Sequence, residues 1–312
     1  MIEKAAENNR IKVLSVVGPT ASGKTALAIS LAKRYGGEIV SCDSMQIYRT
    51  LDIGTAKPTE SEKEGIPHHL IDVASIDESF SCAEFCTLAI EAIDDIASRG
   101  KLPILCGGTG LYVDSVLSGN VFSSAGEDSE FRRRCEEKTN AEIFAELSEI
   151  DPESAAASHP NNRKRNIRAL EIYYTTGEKK SVSDARSRKG PSRYDAKVIL
   201  LYPSERASLY ERIDRRVDLM MSSGLLDEAR RFYDSPVRSQ TASQAIGYKE
   251  LFTYFDGAST LEEAVDKLKQ ASRNYAKRQL TWFMRREDAI KIDVSNKSAD
   301  EIFSEAVRAL EN

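Results

Sequence analysis

The chain has 312 residues, enough for one large domain or two modest ones with a sizeable core. A composition of 41% hydrophobic and 30% charged residues excludes a disordered or fibrous chain. The formal net charge of −5, taken whole, argues against a polyanion as main partner.

No apolar run reaches the ~20 residues of a membrane span. The opening MIEKAAENNR has neither the apolar stretch of a secretory signal nor the arginine-rich character of a transit peptide. Cys42, Cys82, Cys86, Cys106 and Cys135 are scattered and odd in number, which speaks for a reducing cytoplasm over a disulfide framework. Cys82 and Cys86 lie one helical turn apart but lack a second ligand pair, so they read as small core hydrophobes.

The β-branched run 11–17 predicts a strand that ends in a glycine loop. A helix over 25–35 and a second strand over 38–42 complete a βαβ order. A third strand is expected within 69–73, a helix over 81–99 and a fourth strand over 102–106. After Gly119 the chain turns polar, with helical segments around 130–150 and 161–176 and a turn-rich DPESAAASHPNN between them. An apolar strand returns at 197–202, then a long helical pattern from Arg206, an amphipathic helix over 264–284 and a late strand at 290–293. The fold expected is α/β: a parallel-sheet core from residues 1–118 and 194–312, with a mostly helical domain at 119–193 inserted into it. Crossings at Gly119 and Gly190-Pro191 would permit a hinge.

Gly18-Pro19-Thr20-Ala21-Ser22-Gly23-Lys24-Thr25 matches G-x-x-x-x-G-K-[ST] between a predicted strand and a predicted helix. In that setting backbone N–H groups and a helix N-terminus converge on a phosphate. Lys24 adds a point charge and the Thr25 hydroxyl can ligate Mg²⁺. The motif reads a di- or triphosphate and little more. Two carboxylates can accompany it, Asp43 and Asp72, while strand 102–106 ends in Gly-Gly-Thr-Gly with none.

Charge is segregated. Residues 161–193 hold ten basic against three acidic residues, and 267–291 hold eight against two. Local excesses of this kind suit phosphate-binding faces, though solvated helix faces give the same pattern.

These stretches together resemble bacterial tRNA dimethylallyltransferases, also called tRNA isopentenyltransferases. The resemblance rests on GPTASGKT (18–25), SCDSMQIYRTLDIGTAKP (41–58), GIPHHLIDV (65–73), FSCAEF (80–85) and GGTGLYVDSVLSG (107–119). It continues through RNIRALEIYYTTGE (165–178), LYERIDRRVDLMMSSGLLDEA (209–229), AIGYKEL (245–251) and YAKRQLTWF (275–283). It implies a P-loop, nucleotide-kinase-like core with a helical insertion. The implied activity moves a dimethylallyl group from dimethylallyl diphosphate to the amine of the adenosine 3′ of the anticodon in tRNA.

On that chemistry the phosphate loop, 18–25, holds a leaving group, with Lys24 and Mg²⁺ acting where negative charge builds up. Arg212 or Arg216 can add a guanidinium to the diphosphate, or form a surface pair with Glu211, Asp214 or Asp218; the spacing leaves the choice open. Asp43 is the expected general base for the N6 proton, with a magnesium-ligand or capping role as its alternative. The resemblance places Thr109 to orient the amine or a diphosphate oxygen; read alone, it could be only a helix cap.

The acceptor base must leave its stack to reach such a pocket. Asp43, Ser44, Met45, Gln46 and Thr109 are then expected at its edge, with Gly247, Tyr248 and Lys249 also contacting tRNA. Lys164, Arg165 and Arg168, with Lys277, Arg278 and Gln279, are the expected clamp on the anticodon stem, and Arg132 a further candidate. Trp282 either stacks on a base or belongs to the core. His68-His69 is assigned a structural role. The expected partners are tRNA and dimethylallyl diphosphate, with no membrane and a monomeric protein. A nucleotide kinase and an RNA-binding protein without transfer chemistry are the alternatives.

Overall fold

The computed structural model describes residues 10–119, 126–187 and 192–312. Arg188 and Lys189 of the basic stretch, the Gly190-Pro191 crossing and the first nine residues lie outside them.

In chain order the first elements are β1 (Ile11–Val17), α1 (Lys24–Tyr35), β2 (Gly37–Ser41), α2 (Glu60–Lys63), β3 (His68–His69), α3 (Cys82–Ser98), β4 (Leu102–Gly107) and α4 (Gly110–Ser118). Then come α5 (Ser129–Glu136), α6 (Asn140–Ile150), α7 (Pro152–Ala156), α8 (Arg163–Thr176) and α9 (Lys180–Ser187). The chain closes with β5 (Tyr194–Tyr202), α10 (Arg206–Ser222), α11 (Leu225–Tyr233), α12 (Lys249–Phe255), α13 (Leu261–Phe283), β6 (Ala289–Asp293) and α14 (Ala299–Glu311).

The chain divides into two compact units, Met1–Val116 with Tyr194–Asn312, and Leu117–Arg193. In the first, six parallel strands run in the order β3-β2-β4-β1-β5-β6. All five residues of β2 and five of six in β4 are buried, which is why these strands read as continuous apolar runs and not as alternating ones. Leu27 and Leu31 of α1 and Ala306 of α14 pack with Ile104, Ile199, Leu201 and Ile292 of the sheet. A second core joins α10, α11, α12 and α13 around Val217, Phe232, Tyr248 and Leu268. The other unit has its own small core, with Phe131, Ile143, Leu147 and Leu170.

Three expectations about the elements are corrected. The third strand is only two residues long, because Leu70 and Asp72 take φ of 63° and 58° and end the extended run. The helical pattern at 130–150 is two helices, broken where Thr139 caps α6 in a capping box with Glu142. The turn-rich DPESAAASHPNN contains α7, which forms because the Asp151 carboxylate accepts from Ser154 N–H and Pro152 stands at the first helical position.

Candidate active site

A cavity of about 330 Å³ opens at the carboxyl ends of β1, β2 and β4, where open parallel sheets bind ligands. It lies within the larger unit. Thr20, Lys24 and Thr25 line one part of it, and Asp43, Ser44, Met45 and Gln46 another. The phosphate loop wraps as the motif requires, with Gly23 capping α1 in left-handed backbone at φ 85°. Lys24 Nζ donates to the Pro19 carbonyl at 3.3 Å.

Arg216, from α10, lines the same cavity and donates from Nη1 to Thr20 Oγ1 at 3.3 Å. Burial lowers the Lys24 pKa, with Arg216 adding to it and Cys106 and Asp43 opposing. Burial also lowers that of Arg216, against the pull of Asp43. Two partly desolvated cations beside the phosphate loop make an environment that a polyanion relieves. Of the two arginines left open by spacing, only Arg216 lines the cavity. Arg212 is not among the cavity-lining residues, and its Nε and Nη2 are buried without a partner. The acids on α10 turn instead to α13: Asp214 receives Arg273 at 2.6 Å and Asp218 receives Lys269 at 2.7 Å. Arg216→Gln should therefore raise KM for a diphosphate substrate about tenfold or more, while Arg212→Gln should leave it within about twofold, as steady-state kinetics will read.

Asp43 follows β2. Its Oδ1 accepts from Met45 N–H at 2.9 Å and from Gln46 N–H at 3.4 Å, which fixes the turn and orients the carboxylate. The rival acid, Asp72, is at the surface in an ion pair with Lys57 at 2.5 Å and does not line the cavity. Thr109 stands at the start of α4 without lining the cavity. Its Oγ1 accepts from Ser44 N–H at 3.1 Å and donates to Ser44 Oγ at 3.3 Å, and its backbone N–H bonds Cys42 O at 3.1 Å. It therefore braces the residue next to Asp43.

Gln279 ties the two halves together. Its Oε1 accepts from Thr20 N–H at 2.8 Å and its Nε2 donates to Gly108 O at 3.0 Å. A Cβ at Gly108 would lie 2.0 Å from that Nε2, so the Gly-Gly-Thr-Gly loop lacks a side chain where α13 presses on it. Glu228, buried on α11, accepts from the N–H groups of Asp52, Ile53 and Gly54 at 3.0 Å each and from the Tyr248 hydroxyl at 2.6 Å. This pins the segment after Gln46 against the second core. Gly54 is part of the fit, since its Cβ would meet the Tyr248 ring at 2.6 Å. Gly54→Ala should destabilise the protein by about 1–3 kcal/mol in chemical unfolding; an unchanged midpoint would contradict the packing.

Several expected tRNA contacts have other work. Tyr248 is fully buried and bonded to Glu228, and Gly247 lies against Gly54. Gln279 is buried in its brace. The Gln46 amide, though at the cavity, accepts from Ser41 Oγ and donates to the carbonyls of Thr55 and Ala56. Of the phosphate loop, Ser22 is buried and Ala21 packs beside Leu209 and Ile213.

In the smaller unit, Arg132 bonds both oxygens of buried Glu171, at 2.8 and 3.0 Å, and also pairs with Glu127. Arg168 pairs with Glu171 at 2.5 Å and donates to Gly126 O. Lys164 and Arg165 are exposed, as are Lys277 and Arg278 in the larger unit. Trp282 is not in the core: it is 41% exposed, its ring packs over Gly110, and its Nε1 donates to Asp114 at 2.7 Å.

Sequence reasoning missed other residues. His68, assigned only a structural role, lines the cavity, while His69 does bond buried Glu38 at 2.8 Å. Tyr275 lines the cavity one turn before Gln279, a spacing that could have revealed it. Glu228 carried no local signal.

The profile of the IPP transferase family matches residues 46–287. A tRNA dimethylallyltransferase of Bacillus cytotoxicus is 51% identical over 294 residues, covering 93% of this chain and 92% of that protein. One from Bacillus subtilis is 52% identical over 280 residues, 88% of each chain. Among solved structures, a Bacillus halodurans tRNA isopentenylpyrophosphate transferase superposes with a TM-score of 0.73 at 45% identity, over 96% of this chain and 95% of that one. A eukaryotic dimethylallyltransferase acting on tRNA superposes with a TM-score of 0.83 at 31% identity, over 96% of this chain and 78% of that one.

Proposed function

The chain belongs to the IPP transferase family, and we propose that it transfers the dimethylallyl group of dimethylallyl diphosphate to N6 of the adenosine 3′ of the anticodon in tRNA. The observation that carries the reaction is one cavity with two half-buried cations beside the phosphate loop and the Asp43 carboxylate on its wall.

The N6 amine is a weak nucleophile, since its lone pair is delocalised into the purine ring. The allylic carbon becomes a good electrophile only as the diphosphate departs. Loop N–H groups, Lys24 and Arg216 bind the diphosphate and stabilise it as the carbon–oxygen bond breaks and its electron pair leaves with oxygen. Asp43 takes the N6 proton as the carbon–nitrogen bond forms. Thr109 holds Ser44, and through it the turn that carries Asp43.

Among the described residues, no group of three or more His, Cys, Asp or Glu is placed to hold a metal. Mg²⁺ keeps most of its waters and binds through substrate phosphates and one or two protein ligands. Thr25, which lines the cavity, would be the protein's ligand. When bound, the ion supplies charge neutralisation to the diphosphate.

No helix among the described residues is long and apolar enough to cross a membrane. The cavity is lined by residues of this chain, and we read the protein as acting as a monomer. Lys277, Arg278 and Trp282 offer tRNA a basic and aromatic surface, and Lys164 and Arg165 offer phosphate contacts on the other unit. Neutralising Lys164 and Arg165 together should lower the slope of log affinity against log salt for tRNA by roughly 1–2, whereas an Arg168 variant should leave it unchanged. Filter binding across a salt series distinguishes the two.

The function is tested by incubating the protein with unmodified tRNA, Mg²⁺ and dimethylallyl diphosphate labelled in the allyl group. Label should enter the tRNA without ATP, and Lys24→Ala should abolish most of it. Label that stays out of tRNA with folded wild-type protein would overturn the proposal.

A further inference from the structure

Tyr275 has no part in the transfer as described, yet it lines the same cavity as Asp43. Its hydroxyl sits beside Thr109 and Gln279 and within the field of Asp43. Burial, reinforced by the Asp43 charge, pushes its pKa up to about 12, so the phenol stays a neutral O–H donor through the physiological range. The Arg278 guanidinium lies 5.5 Å from the ring centroid and holds the ring in place. Thr109 is engaged with Ser44, and Gln279 with Thr20 and Gly108. Both neighbours act on the phenolic oxygen as donors, which leaves the hydroxyl proton to be directed at an occupant of the cavity.

The chemistry of that occupant follows from its neighbours. A diphosphate finds its cations at Lys24 and Arg216, and a second anion beside Asp43 would be repelled. A neutral heteroaromatic ring that bears an amino group next to a lone-pair nitrogen satisfies both residues at once. Its amine donates to the carboxylate and its ring nitrogen accepts from the phenol. Adenine carries that pair, with N6 flanked by N1 and N7. Guanine presents a carbonyl oxygen at the same place, which would face the carboxylate acceptor to acceptor.

We propose that Tyr275 is a specificity-determining residue for the acceptor base, donating its hydroxyl proton to a ring nitrogen of adenine while Asp43 accepts from the exocyclic amine. The assignment rests on the prenyl-transfer function proposed for the same cavity.

A cycle of wild type and Tyr275→Phe against modified acceptors tests it. Anticodon stem-loop RNAs carry adenosine, 1-deazaadenosine or 7-deazaadenosine at the acceptor position, and kcat/KM is measured for each pair. Phe keeps the ring that Arg278 covers, and a thermal melt checks that the fold is intact. Tyr275→Phe should lower kcat/KM on adenosine about 3- to 10-fold, with KM for dimethylallyl diphosphate unchanged. Deleting the recognised nitrogen should cost the wild type a similar factor and cost Tyr275→Phe nothing further. Additive losses with both analogues, an unaffected Tyr275→Phe, or an effect confined to dimethylallyl diphosphate would overturn the assignment. Failure of the prenyl-transfer function itself would show separately, as no product from wild type on adenosine.

Discussion

Asp43→Ala is expected to lower kcat by about 10²- to 10⁴-fold while tRNA affinity changes little. A positioned base contributes in that range because it removes the N6 proton as the new bond forms, and no second carboxylate among the described residues lines the cavity to replace it. The alanine variant also loses the hydrogen bonds to Met45 and Gln46 N–H, which could disturb the turn. Asp43→Asn separates the two effects: its side-chain carbonyl still accepts from both N–H groups but cannot take a proton. Rapid-quench turnover and tRNA binding should give the same loss of rate for Asn as for Ala, with binding retained in both. If Asn restored the rate, Asp43 would be a turn residue and not the base. An equal loss of rate and binding would point to a structural role.

The largest effect on stability is expected at Glu228. Its carboxylate satisfies the buried Tyr248 hydroxyl and three backbone N–H groups that are partly buried. Each buried donor left without an acceptor costs about 1–3 kcal/mol, and partial rehydration reduces the sum. Glu228→Ala should therefore lose roughly 4 kcal/mol in urea unfolding, and Glu228→Gln less, since one amide oxygen remains. Because the donors lie just after the turn that begins at Asp43, the alanine variant should also lose turnover below its unfolding transition. A loss below about 1 kcal/mol would mean that the 52–54 segment is held by other contacts.

The difference between these two residues explains how far the chain could be read. Asp43 was legible because it closes a motif at a strand end, where topology alone brings it near the phosphate loop. Lys24 and Thr25 were legible for the same reason. Glu228 acts on residues more than 170 positions away, and no local pattern marks a carboxylate that receives backbone donors from elsewhere. Arg212 and Arg216 are equivalent by helical spacing. Only the packing of α10 against Thr20 separates them, with α13 taking up the neighbouring acids.

Tyr248, Gln279 and Gln46 read as tRNA contacts because polar residues in recognisable motifs suggest ligand contact. Their side chains instead hold the cavity wall together. Arg168 belongs to a stretch whose net charge reads as available, and Arg132 lies in a run of three arginines upstream of it, but Glu171, a single buried acid, pairs with both. Trp282 went the other way: an amphipathic helix favoured the core, whereas the residue is exposed over a glycine that leaves room for its ring. The parallel sheet was legible nearly strand by strand, since buried strands are continuous apolar runs. The third strand and α7 depended on left-handed residues and a cap, which apolar periodicity does not report.

The most direct measurement is the chemical identity of the product nucleoside. After one turnover with wild-type protein, the tRNA is digested to nucleosides and analysed by mass spectrometry, and released diphosphate is counted in parallel. The account predicts one C5H8 unit on N6 of a single adenosine 3′ of the anticodon, with one diphosphate released for each modified adenosine. A phosphorylated product, a prenyl group on another atom, or diphosphate release without any modified nucleoside would contradict it.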